Sequence, residues 1–406
     1  MRSATYDLVT ALPEGDLPAY VYDLPALREH VSRIRAALPE RVELLYAAKA
    51  NSDPRILRTL ADHVHGFEVA SGGELAHVRA LVPGVPIAFG GPGKTEQELT
   101  RALDAGVERL HIESEHELRL LLSLLGDRTA DILLRVNLPV DVGPVALAMG
   151  GGPFGMDPVQ LDRCLDVMAS APGVRLRGLH VHLASGLQAR PQLTLVDKIL
   201  TWAGTWARDR GIDLTEVNVG GGMGVDYTHP PRVFDWPAFG AGLRRTLARH
   251  HPHLTLRIEP GRSVTAYCGW YVTQVLDLKF SRGHAFAVLR GGTHHLRTPA
   301  AKQHDQPFHV IPDATWLRPW PRPEARDEPV TLVGQLCTPK DVLASRIMVE
   351  RLRVGDRIAF AMAGAYAWNI SHHGFLMHPH PTFHHIDEAP APAPRPPYST
   401  HAHRIS

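Results

Sequence analysis

The sequence predicts a closed (β/α)8 barrel of the TIM type followed by a mainly β domain, and three features carry that prediction. Eight short β-rich runs alternate with longer helical patterns. The residues that end those runs are chemically unlike the runs themselves. Beyond about Ala266 the helical rhythm stops and alternating apolar and polar segments replace it. With 406 residues the chain exceeds the usual size of one compact domain. The expected division is a barrel over residues 25–265, a β domain over 266–387 completed by residues 1–24, and a disordered tail over 388–406.

Taken in order, the first two dozen residues contain a strand at Ala19–Asp23. The barrel strands are then expected at Leu44–Ala48, Gly66–Ala70, Pro86–Phe89, Arg109–Ile112, Ile132–Val136, Leu176–His182, Glu216–Val219 and Thr255–Ile258. Between them, Thr95-Glu96-Gln97-Glu98 has the pattern of a capping box, and Pro191–Arg210 is a long amphipathic stretch. A glycine-rich excursion from Leu138 to Pro158 follows the fifth strand and is open to two readings, a lid over the site or an irregular surface loop. In the second region Trp270–Leu278, Ala285–Leu289, Pro329–Val333 and Asp356–Ala361 have the alternation of strands. The tail Ala-Pro-Ala-Pro-Ala-Pro-Arg-Pro-Pro is extended.

Composition removes several function classes. A formal net charge of +1, from 43 basic and 42 acidic side chains, leaves no footprint for nucleic acid or a membrane surface. No apolar stretch suits a signal peptide or a bilayer span. Three scattered cysteines, Cys164, Cys268 and Cys337, form neither a disulfide framework nor a cysteine zinc site, so a reducing cytoplasm is expected.

Barrel enzymes keep their chemistry on the loops after the strands. The strand ends here offer Lys49, Ser71, Gly90-Gly91, Glu113, Asn137, His182 with Ser185, Gly220-Gly221-Gly222, and Glu259 with Arg262. An isolated lysine past a strand ordinarily reaches solvent, a triple glycine is ordinarily a turn, and a Glu-Pro-Gly-Arg corner is ordinarily a surface ion pair. Together they meet the needs of one cofactor, pyridoxal 5'-phosphate. Lys49 supplies an amine for its aldehyde, kept partly neutral by an apolar barrel mouth. Gly220, Gly221 and Gly222 follow the seventh strand, where barrels bind phosphate. Glu259 supplies a carboxylate to the pyridine nitrogen, Gly261 and Arg262 turn back toward the phosphate, His182 offers a flat neighbour to the ring, and Ser185 a hydroxyl. His180 and His182 share a strand face and invite a metal reading. Their place on the sixth strand and the glutamate ending the eighth speak against it, and no metal is expected.

The stretches Tyr-Ala-Ala-Lys-Ala-Asn (46–51), Phe-Glu-Val-Ala-Ser-Gly-Gly-Glu (67–74), His-Leu-Ala-Ser-Gly (182–186), Gly-Gly-Gly (220–222), Glu-Pro-Gly-Arg (259–262), Gly-Gln-Leu-Cys (334–337) and Gly-Ala-Tyr (364–366) resemble the fold-type III, alanine-racemase-like pyridoxal-phosphate enzymes. Within that group the chain resembles the diaminopimelate, ornithine and arginine decarboxylases. The resemblance implies that Lys49 carries the cofactor, that Glu68 and Arg135 support it from behind, and that Tyr366 joins the glycines and Arg262 at the phosphate. It also implies that Cys337 reaches the partner's site as an acid, making a homodimer the functional unit. Thr338 stands where diaminopimelate decarboxylases have a glutamate for the distal ammonium. Where those enzymes carry an aspartate-glycine strand end, this chain has Arg290-Gly291-Gly292-Thr293-His294-His295, and Arg297 lies near a position used for a distal carboxylate. These departures resemble the siderophore branch that decarboxylates a citryl-diaminopropionate intermediate on the way to a carboxylate siderophore of the staphyloferrin B kind. The expectation is therefore a decarboxylase (carboxy-lyase) of that substrate. The alternatives are a diaminopimelate or basic amino-acid decarboxylase, a racemase (disfavoured by Glu259, since racemases favour an unprotonated ring nitrogen), and a non-catalytic cofactor carrier.

Overall fold

The computed structural model describes residues 1–139, 147–148, 151–249 and 253–387. The chain divides into two compact units. One comprises Arg28–Val225 and Val233–Val264; the other comprises Met1–Leu27, Asp226–Arg232 and the described residues from Thr265 onward.

The first unit is the barrel. Its strands are β1 (Val42–Ala47), β2 (Gly66–Val69), β3 (Ile87–Phe89), β4 (Arg109–Ile112), β5 (Ala130–Arg135), β6 (Val174–His180), β7 (Glu216–Asn218) and β8 (Thr255–Ile258). Neighbours are parallel, and β8 pairs with β1 to close the ring. All eight expected strands are present in the expected order, with only their ends displaced.

The helices start where polar side chains catch their free amides. Asp53 accepts from the Arg55 and Ile56 N–H groups, Ser71 from Glu74, Ser114 from Glu117 and Asp157 from Gln160. Thr95 and Glu98 form the expected capping box. Each such cap is worth about 1 kcal/mol and sets the point at which the chain turns away from a strand. The amphipathic stretch after β6 is a helix over Ala189–Asp209.

Strand periodicity decides what faces inward. Arg109 on β4 pairs with Glu216 on β7 at 2.8 and 2.9 Å. Those strands are not neighbours, so the contact crosses the barrel interior. By period two, His111 and Glu113 share that inward face, while the buried Leu110 and Ile112 face the surrounding helices. The same alternation places Glu43 and Lys49 on one face along β1, Asn218 and Gly220 with Glu216 along β7, and Arg257 with Glu259 along β8. The barrel is therefore filled by polar layers. At its amino-terminal end Arg257 reaches Glu43 at 2.8 Å and Glu108 at 3.1 Å, and Asp131 takes Arg175 at 2.6 Å and Arg177 at 2.9 Å.

The second unit is built on an eight-stranded sheet. Its main path runs Phe308–Ile311, Arg357–Phe360, Gly269–Ser281, His284–Leu289, Glu324–Val333, Val342–Arg353. Ala19–Asp23 pairs antiparallel with Gly269–Ser281 and parallel with Thr382–Ile386. The helix Ser3–Ala11 contributes Val9 to a core shared with Val21, Trp270, Val272, Ile311 and Ala359. The expected tail falls largely on 388–406, outside the described residues. Among the described residues no helix is long and apolar enough to cross a membrane.

Candidate active site

Within the barrel unit the carboxyl ends of the strands bring most of the expected residues together. Lys49 sits in the short turn Ala48–Ala50 directly after β1. Its Nζ donates to the Glu68 carboxylate on β2. The Lys49 side chain is 44% exposed and that of Glu68 only 6%. The immediate neighbour of this amine is thus a carboxylate rather than apolar surface. Burial pushes the proton affinity of Glu68 up and Glu259 adds to that, against the pull of Lys49.

Glu259, just past β8, is buried. Its Oε1 accepts from Asn218 Nδ2 at 2.6 Å, and Asn218 Oδ1 accepts the Gly220 amide at 2.9 Å. Two histidines close on the same carboxylate from the interior. His180 Nε2 lies 3.3 Å from one oxygen and His111 Nε2 3.9 Å from the other. Among the described residues this is the one trio whose ligand atoms lie close enough for a metal ion, within 4.8 Å. The two imidazoles are stacked, however, with centroids 4.2 Å apart and 18° between planes. Metal-ligating histidines are held by a partner on the other ring nitrogen, and neither Nδ1 has one among the described residues.

His182, two residues beyond His180, is held at about 4, first by burial and then by the Arg135 charge, so it is neutral at physiological pH. Its Nε2 lies 3.4 Å from Ser185 Oγ. Gly220 and Gly222 have φ of +67° and +92°. A β-carbon on Gly220 would overlap the His182 ring, one on Gly221 the Glu259 carbonyl, and one on Gly222 the Ala184 carbonyl. Only glycine lets this turn approach its neighbours so closely. The amides of Gly221 and Gly222 have no acceptor among the described residues. Arg262 is half-buried at the start of the short helix Arg262–Thr265.

Arg135 is fixed by a residue that the sequence analysis places at a strand end but assigns no role. Glu113 accepts from Arg135 Nη1 at 2.6 Å, the Gly91 amide at 2.8 Å and the Gly155 amide at 3.2 Å. The excursion after β5 is partly outside the described residues. Its described parts are tied down, with Asn137 bonding the Gly151 amide at 2.8 Å and the Gly152 carbonyl at 2.9 Å, and Leu147–Ala148 pairing with Ala184–Ser185.

The remaining expected residues lie in the β unit. Cys337 is exposed and free. Its loop is clamped by buried Asp341, which accepts the Leu336 amide at 2.9 Å and the Thr293 amide at 2.6 Å. Thr338 is half-buried, Arg297 exposed, and Tyr366 half-buried with its carbonyl accepting from Thr298. His294 and His295, expected to meet substrate, are 0% and 1% exposed. Their rings are 3.9 Å apart, and burial holds them at about 4 and about 3. Within the β unit both are buried, neutral rings.

The barrel residues fit pyridoxal phosphate. A primary amine, a glycine cradle with free amides that a β-carbon would fill, a flat neutral imidazole and a buried carboxylate stand around one barrel mouth, a donor set matching aldehyde, phosphate, ring face and ring nitrogen.

Residues 24–266 match the family described as "Pyridoxal-dependent decarboxylase, pyridoxal binding domain". The chain is 40% identical over 375 residues to the 2-[(L-alanin-3-ylcarbamoyl)methyl]-2-hydroxybutanedioate decarboxylase of Staphylococcus aureus, covering 91% of this chain and 94% of that protein. It is 31% identical over 361 residues to the diaminopimelate decarboxylase of Bacteroides thetaiotaomicron, covering 86% and 90%. Among solved structures, diaminopimelate decarboxylase from Helicobacter pylori complexed with L-lysine has a TM-score of 0.81 at 24% identity, covering 94% of each chain, which bears on the fold alone.

Proposed function

This chain belongs to the pyridoxal-dependent decarboxylases, and on that premise we propose that its substrate is the citrate amide of 2,3-diaminopropionate, from which it removes the amino-acid carboxylate. The cofactor is pyridoxal phosphate and the enzyme is a carboxy-lyase. The observation that carries the substrate is the 40% identity to the Staphylococcus aureus enzyme along almost the whole of both chains. That substrate couples an α-amino acid to a hydroxy-dicarboxylate. Thr338 in place of an acidic reader, together with exposed Arg297, suits a distal group that is anionic.

When bound, pyridoxal phosphate supplies the electron sink for the pair left on the α-carbon as carbon dioxide departs. The chain's own residues do the rest. Glu68, with its raised proton affinity, takes a proton from Lys49 Nζ and frees the amine for attack. Glu259 would hold a negative charge toward the ring nitrogen, His182 would meet the ring face, and Arg135, held by Glu113, would back the site. The amides of Gly221 and Gly222, with Gly220, Ser185, Gly261 and Arg262, would receive the phosphate. We further propose a homodimer in a reducing cytoplasm, in which Cys337 of the partner subunit returns a proton to the α-carbon; its exposure and freedom from disulfide support that role.

Carbon dioxide release measured on the citryl substrate, diaminopimelate, ornithine and arginine tests the assignment. Turnover of the citryl compound far above the others is expected; preference for diaminopimelate overturns the substrate and leaves the class. Lys49→Ala should leave no pyridoxyl group fixed to the chain by borohydride, and a normal visible band with turnover would remove Lys49. Cys337→Ala should slow product formation about 10²-fold or more, as loss of a proton donor does.

A further inference from the structure

The stacked pair His111–His180 is used by none of the steps above, yet it is the most deeply buried part of the site. Its rings come from alternate strands, β4 and β6, and meet inside the barrel. His111 is 0% and His180 4% exposed, and none of their four ring nitrogens makes a hydrogen bond of good geometry among the described residues. Burial is the first reason their proton affinity falls well below the ordinary imidazole range, followed by His180 for His111 and by the Arg135 charge for His180. Both rings are therefore neutral, and each presents Nε2 to a different oxygen of Glu259. The rings meet the carboxylate by packing, with Nε2 of His180 at 3.3 Å and Nε2 of His111 at 3.9 Å and no hydrogen bond of good geometry between them. Room for the pair is made by Gly90, where a β-carbon would stand 3.1 Å from His111 Nδ1.

We propose that His111 and His180 are positioning residues for Glu259, two neutral stacked rings packed against its carboxylate that keep it toward the ring nitrogen of the cofactor. The inference rests on the proposed role of Glu259. Neutral rings suit the task because they confine a negative carboxylate without cancelling its charge. An imidazolium in either place would form its own ion pair with Glu259 and compete with the protonated ring nitrogen. The other charged and titratable groups facing the pair are Lys49 and Glu68 from β1 and β2, Lys94 and Arg135 from β3 and β5, and His182. With Asn218 already donating to Oε1 at 2.6 Å, the imidazoles complete the constraint on a side chain that would otherwise swing.

The test measures cofactor affinity of the apoenzyme, by fluorescence quenching, for pyridoxal phosphate and for its 1-deaza analogue, which has carbon in place of the ring nitrogen. His180→Leu and His111→Leu are expected to weaken pyridoxal phosphate by about tenfold or more, the weight of the charged hydrogen bond that Glu259 would make to the ring nitrogen. They should leave the deaza analogue within about twofold, because the lost orientation matters only to a partner nitrogen. His180→Phe, which keeps a flat ring against the carboxylate, should recover part of the loss, and it serves as the readout if the leucine variants do not fold. Equal weakening of both ligands means a merely structural role and overturns the inference, as does no weakening of either. A wild-type protein that fails to prefer pyridoxal phosphate over the deaza analogue instead refutes the Glu259 assignment.

Discussion

In the proposed reaction Glu68 is the residue on which the amine chemistry turns. It is buried, in contact with Lys49 Nζ, and its proton affinity is raised chiefly by burial. If it must be ionised to relieve Lys49 of a proton, the rate falls as pH drops through that raised value and recovers above it. Glu68→Gln keeps the shape and one acceptor oxygen but cannot take the proton. We expect kcat/KM to fall about 10²- to 10⁴-fold and the acid limb of the pH–rate profile to disappear. An unchanged acid limb would assign it to another group. Lys49, Glu259 and the triple glycine were legible in the sequence because each is a chemically odd residue where an apolar strand stops. Glu113 and His111 were not, since their roles come from partners across the barrel, Arg135 on β5 and His180 on β6, which no local pattern reveals.

At the scale of the element, the barrel strands were legible in number and order because each is a short β-rich run followed by a capped helix. What lies inside them was not. Charged residues such as Arg109, Glu216 and Arg257 stand at or near strand starts and read as boundaries, whereas period two turns them inward into an ionic layer. Val342–Arg353 is singled out by no pattern either, because Ser345, Arg346, Glu350 and Arg351 interrupt its apolar residues on the exposed side. The ionic layer makes a prediction away from the chemistry. The Arg257 side chain is 3% exposed and serves Glu43, Glu108 and Glu216. Arg257→Met leaves those acids without their shared cation, and breaking a buried network in this way costs about 3–5 kcal/mol. Urea unfolding should show that loss, while KM and kcat of the folded fraction stay near wild type. Loss of activity without loss of stability would mean that this layer reaches the site.

Across the whole molecule, histidine burial sets the response to acid. His111 and His180 lie well below the ordinary imidazole value of 6.5, His182 and His294 at about 4, and His295 at about 3, with burial the leading cause for each. Below pH 6.5 the unfolded chain takes up protons that the native rings refuse, so the unfolded state binds more protons and stability falls as pH falls. Above 6.5 these groups are neutral in both states and their full contribution is present. Glu43, Glu68 and Glu117 run the other way, since burial raises their proton affinity and favours the native state as pH drops toward their values. Five histidines shifted down outweigh three acids shifted up through the upper part of the window. The thermal midpoint should therefore fall between about pH 7 and about pH 5. His294→Leu should blunt the fall, because its ring is buried with no hydrogen-bond partner among the described residues, so the substitution removes the titrating group without breaking a hydrogen bond. A midpoint flat across that range would mean that water reaches these rings, and with it would go the dry, neutral interior on which the placement of Glu259 depends.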